Sequence, residues 1–545
     1  MEPTRRRFLA ATTGLGAATL CWPGLAWGQP TGARAPAPAR VDPGADTVAA
    51  LASRPLRLHL PLAQRAVARA RERGASHADA RVVHWTRERL GVRDDHIDGV
   101  ETSEELGLGV RVLVDGGWGF AATPTLSEPA VLAATERAVA TAKINAALLR
   151  ELGGAPVQLA SLEPARGGYV APHRKDPFAV PLADKAGLLI DAASALLRVP
   201  GVAHARASVA LVREEKLLVT SDEVELHQLY YRVMPQLTAI AVDRRRGGFA
   251  STDHDGAPML AGWEYVESLD LRAAADAVGE AAVRKLHAVS VAPGRRHVIL
   301  APSNLWLTIH ESIGHPTELD RAQGLEANYA GTSFLAPGDA GSRRIGAPGV
   351  HLVADRTQPG GLATTGWDDE GVPSQRWDVV RDGVFVGWQT TRDQAASIGA
   401  AASRGCSYAD SFSSIAFQRM PNVSLQPGPE GYTTEDLINA TEDGVLIAGR
   451  GSWSIDHQRY NFQFSGQTFW EIKRGRLTRP LKDVAYQANT VEFWSSCDMI
   501  GGEGTYRLGG SFGDGKGEPS QSNSVSHGCP PARFMVDIVH TGAAK

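Results

Sequence analysis

Cysteine is scarce: the 545 residues contain four, Cys21, Cys406, Cys497 and Cys529. Removal of an N-terminal leader would take Cys21 with it and leave three, enough for one disulfide with one thiol over. A disulfide framework is therefore excluded as the source of stability. Excess charge of one sign is also missing. The chain carries 56 basic and 60 acidic residues, a net charge of −4, and shows no basic stripe. Nucleic acid is accordingly not an expected partner. No apolar run approaches the ~20 residues that span a bilayer as a helix, so no membrane span is expected after leader cleavage.

What is present begins at the N-terminus. Thr4-Arg5-Arg6-Arg7-Phe8-Leu9 precedes an apolar, Gly/Ala-rich run from Ala10 to Leu20, and Ala26-Trp27-Gly28 closes in small residues. Basic, apolar and small-residue regions in that order predict a twin-arginine signal over 1–28, cleaved near Gly28, with export to the periplasm. Leu20 is too bulky for a lipid anchor on Cys21. Residues 29–55, rich at their start in Ala, Pro, Gly and Arg, read as a disordered linker.

The remainder predicts an α+β protein. A region over 56–290 layers helices on strands, and a β-rich domain over 291–545 follows a boundary near Val289–Pro293. Helical patterns run from Leu60 to Arg73, Pro129 to Leu149, Leu182 to Leu197 and Leu269 to Leu286. Between them lie strand-like runs at His77 to Arg87, Leu90 to Arg93, Ala205 to Thr220 and Glu223 to Asp243. Gly107 to Ala121 reads as a hairpin about an Asp-Gly-Gly turn. It is not a phosphate loop, because no helix starts directly after it. Beyond the boundary strands dominate, and most of the 58 glycines lie in the second half.

One stretch carries chemistry: His310-Glu311-Ser312-Ile313-Gly314-His315-Pro316, after a helix-start signal at Pro302 to Asn304. Two imidazoles flanking a carboxylate are the parts that bind Zn²⁺ and activate its water. In the HExxH arrangement the histidines stand at i and i+4. Here they stand at i and i+5, roughly 140° apart on an ideal helix. A π-type widening would bring them together, eased by Gly314, with Pro316 ending the helix. Glu311 would be the general base. A catalytic zinc takes a third protein ligand, which must come from elsewhere in the chain.

HESIGHPTELD resembles the HExxxH segment of the TldD/PmbA family of metalloproteases. Gly107 to Phe120 is similar to that family's glycine-rich hairpin, and Asp368-Asp369-Glu370-Gly371 to its DDEG segment. Gly515-Lys516-Gly517-Glu518-Pro519 and Ser526-His527-Gly528-Cys529-Pro530-Pro531-Ala532-Arg533-Phe534 resemble its C-terminal block. The resemblance extends from near Leu60 to the end. It implies zinc on His310 and His315, Glu311 as catalytic carboxylate, and peptides or unfolded polypeptide as substrate. It also implies a homo-oligomer, or a hetero-oligomer of this TldD-type chain with a PmbA-type subunit lacking the motif.

The family's third ligand is a cysteine just before the GKG segment. The matching position here is Asp514, and a carboxylate completes zinc sites elsewhere. Cys497 and Cys529 are its rivals. His527 either faces the site or is a structural hydrogen-bonder, Glu318 and Asp320 either orient a histidine or are surface residues, and no partner is named for Arg533. Asp368 to Glu370 line a groove or form a solvated turn. The competing function is a non-catalytic scaffold subunit whose metal site has decayed with loss of the cysteine. The leader reading is checked by replacing Arg5 and Arg6 with lysine: unprocessed precursor should accumulate in the cytoplasm. N-terminal sequencing of the exported wild type should begin near Gln29.

Overall fold

The computed structural model describes residues 51, 54–245 and 247–541; the leader call and nearly all of the 29–55 linker lie outside them. At the end of the expected linker, Leu51 is buried beside Leu229 and Tyr231, and Arg54 pairs with Glu215 at 2.6 Å.

The N-terminal half is built on four long antiparallel neighbours, His96–Val114, His77–Arg93, Val202–Thr220 and Val224–Asp243. Gly117–Thr123 extends the sheet at one end, and Ala165–Val170 joins Val224–Asp243 in parallel at the other. These strands are long enough to serve two separate cores. Toward one end Val82, Val110, Val112 and Leu217 pack under helices Leu60–Glu72 and Glu128–Glu151. Toward the other, Leu90, Val209, Leu211 and Leu237 pack under Leu182–Leu197 and Leu271–Leu286.

The expected hairpin turn falls on Asp115 and Gly116, both at positive φ (49° and 79°), which supplies the twist that a two-residue connection needs. Gly117 and Gly119 do something else. A Cβ there would lie 2.3 Å from Ala146 N and 2.0 Å from Ala138 O, so the helix Glu128–Glu151 rests directly on the strand backbone. Two strands exceed the sequence reading. His77–Arg93 is continuous, and its partner starts at His96, well before Gly107. The exposed polar run His96–Ser103 has no apolar alternation to reveal it, and cross-strand pairing alone keeps it extended.

The C-terminal half contains a ten-stranded sheet in which Gly294–Leu300 lies between Ala532–His540 and Asp443–Ala448. A four-stranded sheet includes Leu352–Asp355 and Asn422–Leu425, and a separate hairpin joins Arg507–Lys516 to Gln521–Cys529. No apolar alternation marks the first strand of this hairpin in the sequence. That strand reads Arg-Leu-Gly-Gly-Ser-Phe-Gly-Asp-Gly-Lys, with glycine where a strand would show β-branched residues. The glycine has a packing reason: a Cβ on Gly509 would lie 2.3 Å from the Trp306 ring. The helix Pro302–Ile309 follows the central strand and is buried in the largest core of the chain by Leu305, Trp306, Leu307 and Ile309. No helix among the described residues is long and apolar enough to cross a membrane.

The halves are joined through buried charge. Asp368, Asp369 and Glu370 are not a solvated turn: all three are buried, and Asp368 and Asp369 line a small cavity with Arg356 and Tyr408. Asp369 meets Lys216 at 2.9 Å and Arg81 at 3.4 Å, both on the N-terminal sheet. Arg111 spans Glu370 at 3.2 Å and Asp79 at 2.7 Å. Asp368 accepts backbone N–H groups of Glu370, Val372 and Ser407, closing the turn on itself. Burial pushes the Asp79 carboxyl up, but Arg111, His77 and Arg81 outweigh it and hold it at about 2.

Arg111→Leu strands two buried carboxylates and should cost about 3–5 kcal/mol, read as a lower thermal midpoint. Asp79 is depressed in the folded state, so its stabilisation is present above the unfolded carboxyl value and is lost as pH falls toward about 2. The stability gap between wild type and Asp79→Asn should therefore close over that acid range.

Candidate metal centre

The motif helix widens where the spacing requires it. After Ile309 the backbone makes a π turn over His310–Gly314, then tightens to a 3₁₀ turn over His315–Thr317 that includes Pro316. The wide turn brings the His310 and His315 rings to 4.5 Å between centroids. Carbonyls that lose regular helical partners are taken up by side chains. Thr317 Oγ1 donates to Ile313 O at 2.7 Å, and Gln389 Nε2 donates to Gly314 O at 2.6 Å. Gly314 has ordinary right-handed helical angles, φ −56° and ψ −61°, so backbone freedom is not its role. A Cβ there would lie 2.5 Å from Met420 Sδ; the glycine lets the turn seat against that side chain.

Both histidines, Glu311 and the carboxylate of Asp514 are buried and converge. His310 Nε2 lies 3.4 Å, and His315 Nε2 3.5 Å, from the same atom, Asp514 Oδ1. Glu311 places a carboxylate oxygen in a group with both imidazoles in which all ligand atoms lie within 4.8 Å. Donors at about 2.0–2.2 Å from a tetrahedral ion stand about 3.3–3.6 Å from one another. The separations at Asp514 Oδ1 therefore fit one small divalent cation.

Proton positions fit as well. His527 Nδ1–H donates to Val423 O at 2.8 Å, which leaves its Nε2 bare to accept from His310 Nδ1–H, also at 2.8 Å. His310 Nε2 is then free of a proton, facing Asp514. Burial, followed by the charge that His310 can carry, keeps His527 well below the usual histidine range and so a neutral acceptor. His315 Nδ1 stands 2.9 Å from Glu318 Oε2 and 2.9 Å from Arg321 Nη2; the tautomer whose Nδ1–H donates to Glu318 is the one that frees Nε2. Glu318 is locked in its charged form by Arg321 and Lys516 against the cost of burial. The Asp514 backbone and its Oδ2 both accept from Arg419, which turns Oδ1 toward the histidines. Burial raises the Asp514 carboxyl, but His315 and His310 in their protonated, charged forms outweigh it and hold it well below the carboxylate range.

The rivals lie elsewhere. Cys529 Sγ rests against the Pro302 carbonyl, at the far end of the motif helix from His310. Cys497 is a buried thiol just beyond the helix Thr490–Ser495. Burial raises both thiols, so neither offers a ready thiolate. Asp320 pairs with Lys516 at 2.7 Å, and Arg533 pairs with Asp498 at 2.9 Å, remote from the motif. Arg321, Arg419 and Arg459 escaped the sequence reading, since isolated arginines far apart in the chain carry no spacing signal. Arg459 is the most consequential: its Nη1 pairs with Glu311 Oε2, and its Nη2 donates to Ala330 O at 2.9 Å.

Three family descriptions match in succession: PmbA/TldA metallopeptidase domain 1 over residues 78–142, the central domain over 175–288, and the C-terminal domain over 293–537. The last contains every residue of the site just described. The chain belongs to the TldD/PmbA family of metallopeptidases. A metalloprotease of Methanothermobacter thermautotrophicus is 28% identical over 463 residues, covering 85% of this chain and 95% of the relative. A zinc metalloprotease TldD homolog of Saccharolobus solfataricus is 25% identical over 243 residues, 44% of this chain and 49% of that one. A Thermotoga maritima protein of known crystal structure superposes with a TM-score of 0.69 at 16% identity, covering 88% of this chain and 100% of that one, and shares the fold. As a TldD/PmbA metallopeptidase the protein acts on polypeptide, and its buried His310, Glu311 and His315 are the candidate metal group.

The Met420 contact has a direct check. Gly314→Ala should lower stability by about 1–3 kcal/mol through overpacking. Its effect in a double-mutant cycle with Met420→Ala should be clearly less than additive, because the added methyl then has room.

Proposed function

We propose that this chain is a TldD-type, zinc-dependent metallopeptidase that hydrolyses peptides or unfolded polypeptide, with His310, His315 and Asp514 holding the metal and Glu311 as general base. The observation that carries this reading is the approach of both Nε2 atoms to one oxygen of Asp514, 3.4 and 3.5 Å away. Retention of the full His-Glu-His set argues for the TldD type and against a scaffold with a decayed site. Zinc is the metal named for the Saccharolobus solfataricus relative, and its usual ligand sets include two histidines and a carboxylate.

When bound, zinc supplies a Lewis acid and lowers the pKa of the attacking water. The residues of the chain do the rest. His527 and Glu318 hold the two imidazoles in the tautomers that leave Nε2 bare. Glu311 takes the proton of the water that attacks the peptide carbonyl and returns it to the leaving amine. Trp453–Ile455 and Arg507–Lys516, the strand that carries Asp514, each leave one edge unpaired among the described residues. An extended substrate adding to such an edge is held by main-chain hydrogen bonds with little sequence selectivity.

The leader over residues 1–28 supports export by the twin-arginine pathway to the periplasm, folded and metal-loaded. Family resemblance supports assembly with a second copy or with a PmbA-type chain. Purified protein should cleave an unfolded reporter peptide, lose activity with a chelator and regain it with Zn²⁺. Glu311→Gln should lower kcat by about 10²–10⁴ with zinc still bound. Asp514→Ala should release the metal, and Asp514→Cys should bind it again. Full activity in the chelated protein or in Glu311→Gln would refute the reading.

A further inference from the structure

Four cationic side chains lie around the site, and three are fully enclosed within it. Arg321 serves Glu318 and the Ala330 carbonyl, Lys516 serves Glu318, Asp320 and Gln418, and Arg419 serves Asp514 and Gln521. Their side chains have 0% exposure. Arg459 differs: it pairs with Glu311, yet its side chain is 15% exposed, which makes it the most accessible cation of this group.

The chain holds this residue with effort. Arg459 has φ 63°, in the left-handed region that a non-glycine residue adopts at a cost. The turn is fixed by Asp456, whose carboxylate accepts from Tyr460 N at 2.8 Å and Asn461 N at 3.0 Å. Thr490 Oγ1 donates to the Arg459 carbonyl at 2.8 Å. The side chain so placed pairs with Oε2 of Glu311, the proposed general base. Its Nε, like that of Arg419, is buried without a hydrogen-bond partner among the described residues.

We infer that Arg459 is a catalytic residue that receives the oxygen of the scissile carbonyl as charge develops on it. This inference rests on the metallopeptidase reading above. As the water oxygen bonds to the carbonyl carbon, the carbonyl π pair moves onto its oxygen and the water proton passes to Glu311. Glu311 becomes neutral as the negative charge appears on the substrate, so the guanidinium exchanges one anionic partner for another. No buried cation is left uncompensated at the point of highest energy. When the C–N bond breaks, the pair returns to form the new carbonyl and Glu311 gives its proton to the leaving nitrogen. The Arg459–Glu311 pair is then restored.

The test uses the full processed chain and a C-terminally amidated fluorogenic decapeptide whose cleaved bond is located by mass spectrometry. Arg459→Ala and Arg459→Lys should keep one bound metal per chain and a KM within a few-fold of wild type. In Arg459→Ala kcat should fall about 10²–10³-fold, the usual loss when an oxyanion donor is removed. Affinity for a phosphinic pseudopeptide mimicking the tetrahedral carbon should fall by the factor lost in kcat/KM. In a Glu311→Gln background, affinity for the uncleaved decapeptide should be unchanged by adding Arg459→Ala. Added guanidinium ion should restore part of the lost kcat.

An unchanged kcat, loss of metal in both variants, or equal loss of affinity for substrate and tetrahedral analogue overturns the assignment. So does a defect confined to peptides with a free C-terminal carboxylate, which would make Arg459 a terminus anchor. A wild type that is inactive or indifferent to chelator refutes the metallopeptidase reading instead.

Discussion

Two imidazoles five residues apart face one cation only if the helix between them widens. That constraint governs the C-terminal domain. The π turn at His310–Gly314 disturbs the regular carbonyl partners of an α-helix, and the surroundings supply replacements from Thr317 and Gln389. The turn also needs a close wall. Gly314 allows Met420 to be that wall, and Gly509 allows the hairpin Arg507–Lys516 to lie on Trp306. Through this second contact the strand bearing Asp514 is laid alongside the helix bearing the histidines.

The site is then a problem of buried charge. Glu311, Glu318, Asp320 and Asp514 are enclosed together with Arg321, Arg419, Lys516 and Arg459, and each carboxylate has a cationic neighbour. Pairing offsets a desolvation cost that isolated ions would not bear. It also divides labour. Arg321 and Lys516 keep Glu318 ionised as acceptor for His315, Arg419 aims Asp514, and Arg459 pairs with Glu311. The interface between the halves repeats the pattern with Arg81, Arg111 and Lys216 against Asp79, Asp369 and Glu370. The segment carrying Asp369 and Glu370 is thus structural cement and does not line the metal centre.

Much of the site was legible from local spacing. The His-Glu-His set and the widened turn follow from five residues and helix geometry, and the family resemblance pointed to position 514. Other parts were not. Asp514 lies between glycines in a stretch without apolar alternation, yet it stands in a strand, and Gly509 of that strand allows close packing against Trp306. His527 read as a structural hydrogen-bonder, and it is one, but its acceptor is what frees the metal-facing nitrogen of His310. The role of Gly314 was anticipated as backbone freedom and proved to be space for Met420.

By itself the sequence determined the elements whose signal is local: the four long helices, the Asp115–Gly116 turn, the strand-rich second half and the i, i+5 histidines. Periodicity, turn stereochemistry and motif spacing act over a few residues, so they are readable there. Only the tertiary structure decided which groups meet across the chain. Arg459 reaches Glu311, Asp514 reaches both histidines, and Arg111 reaches Glu370 across 148, about 200 and 259 residues respectively. A side chain far away in sequence leaves no local trace of its partner. Buried charge finds its counter-charge through the fold that encloses both.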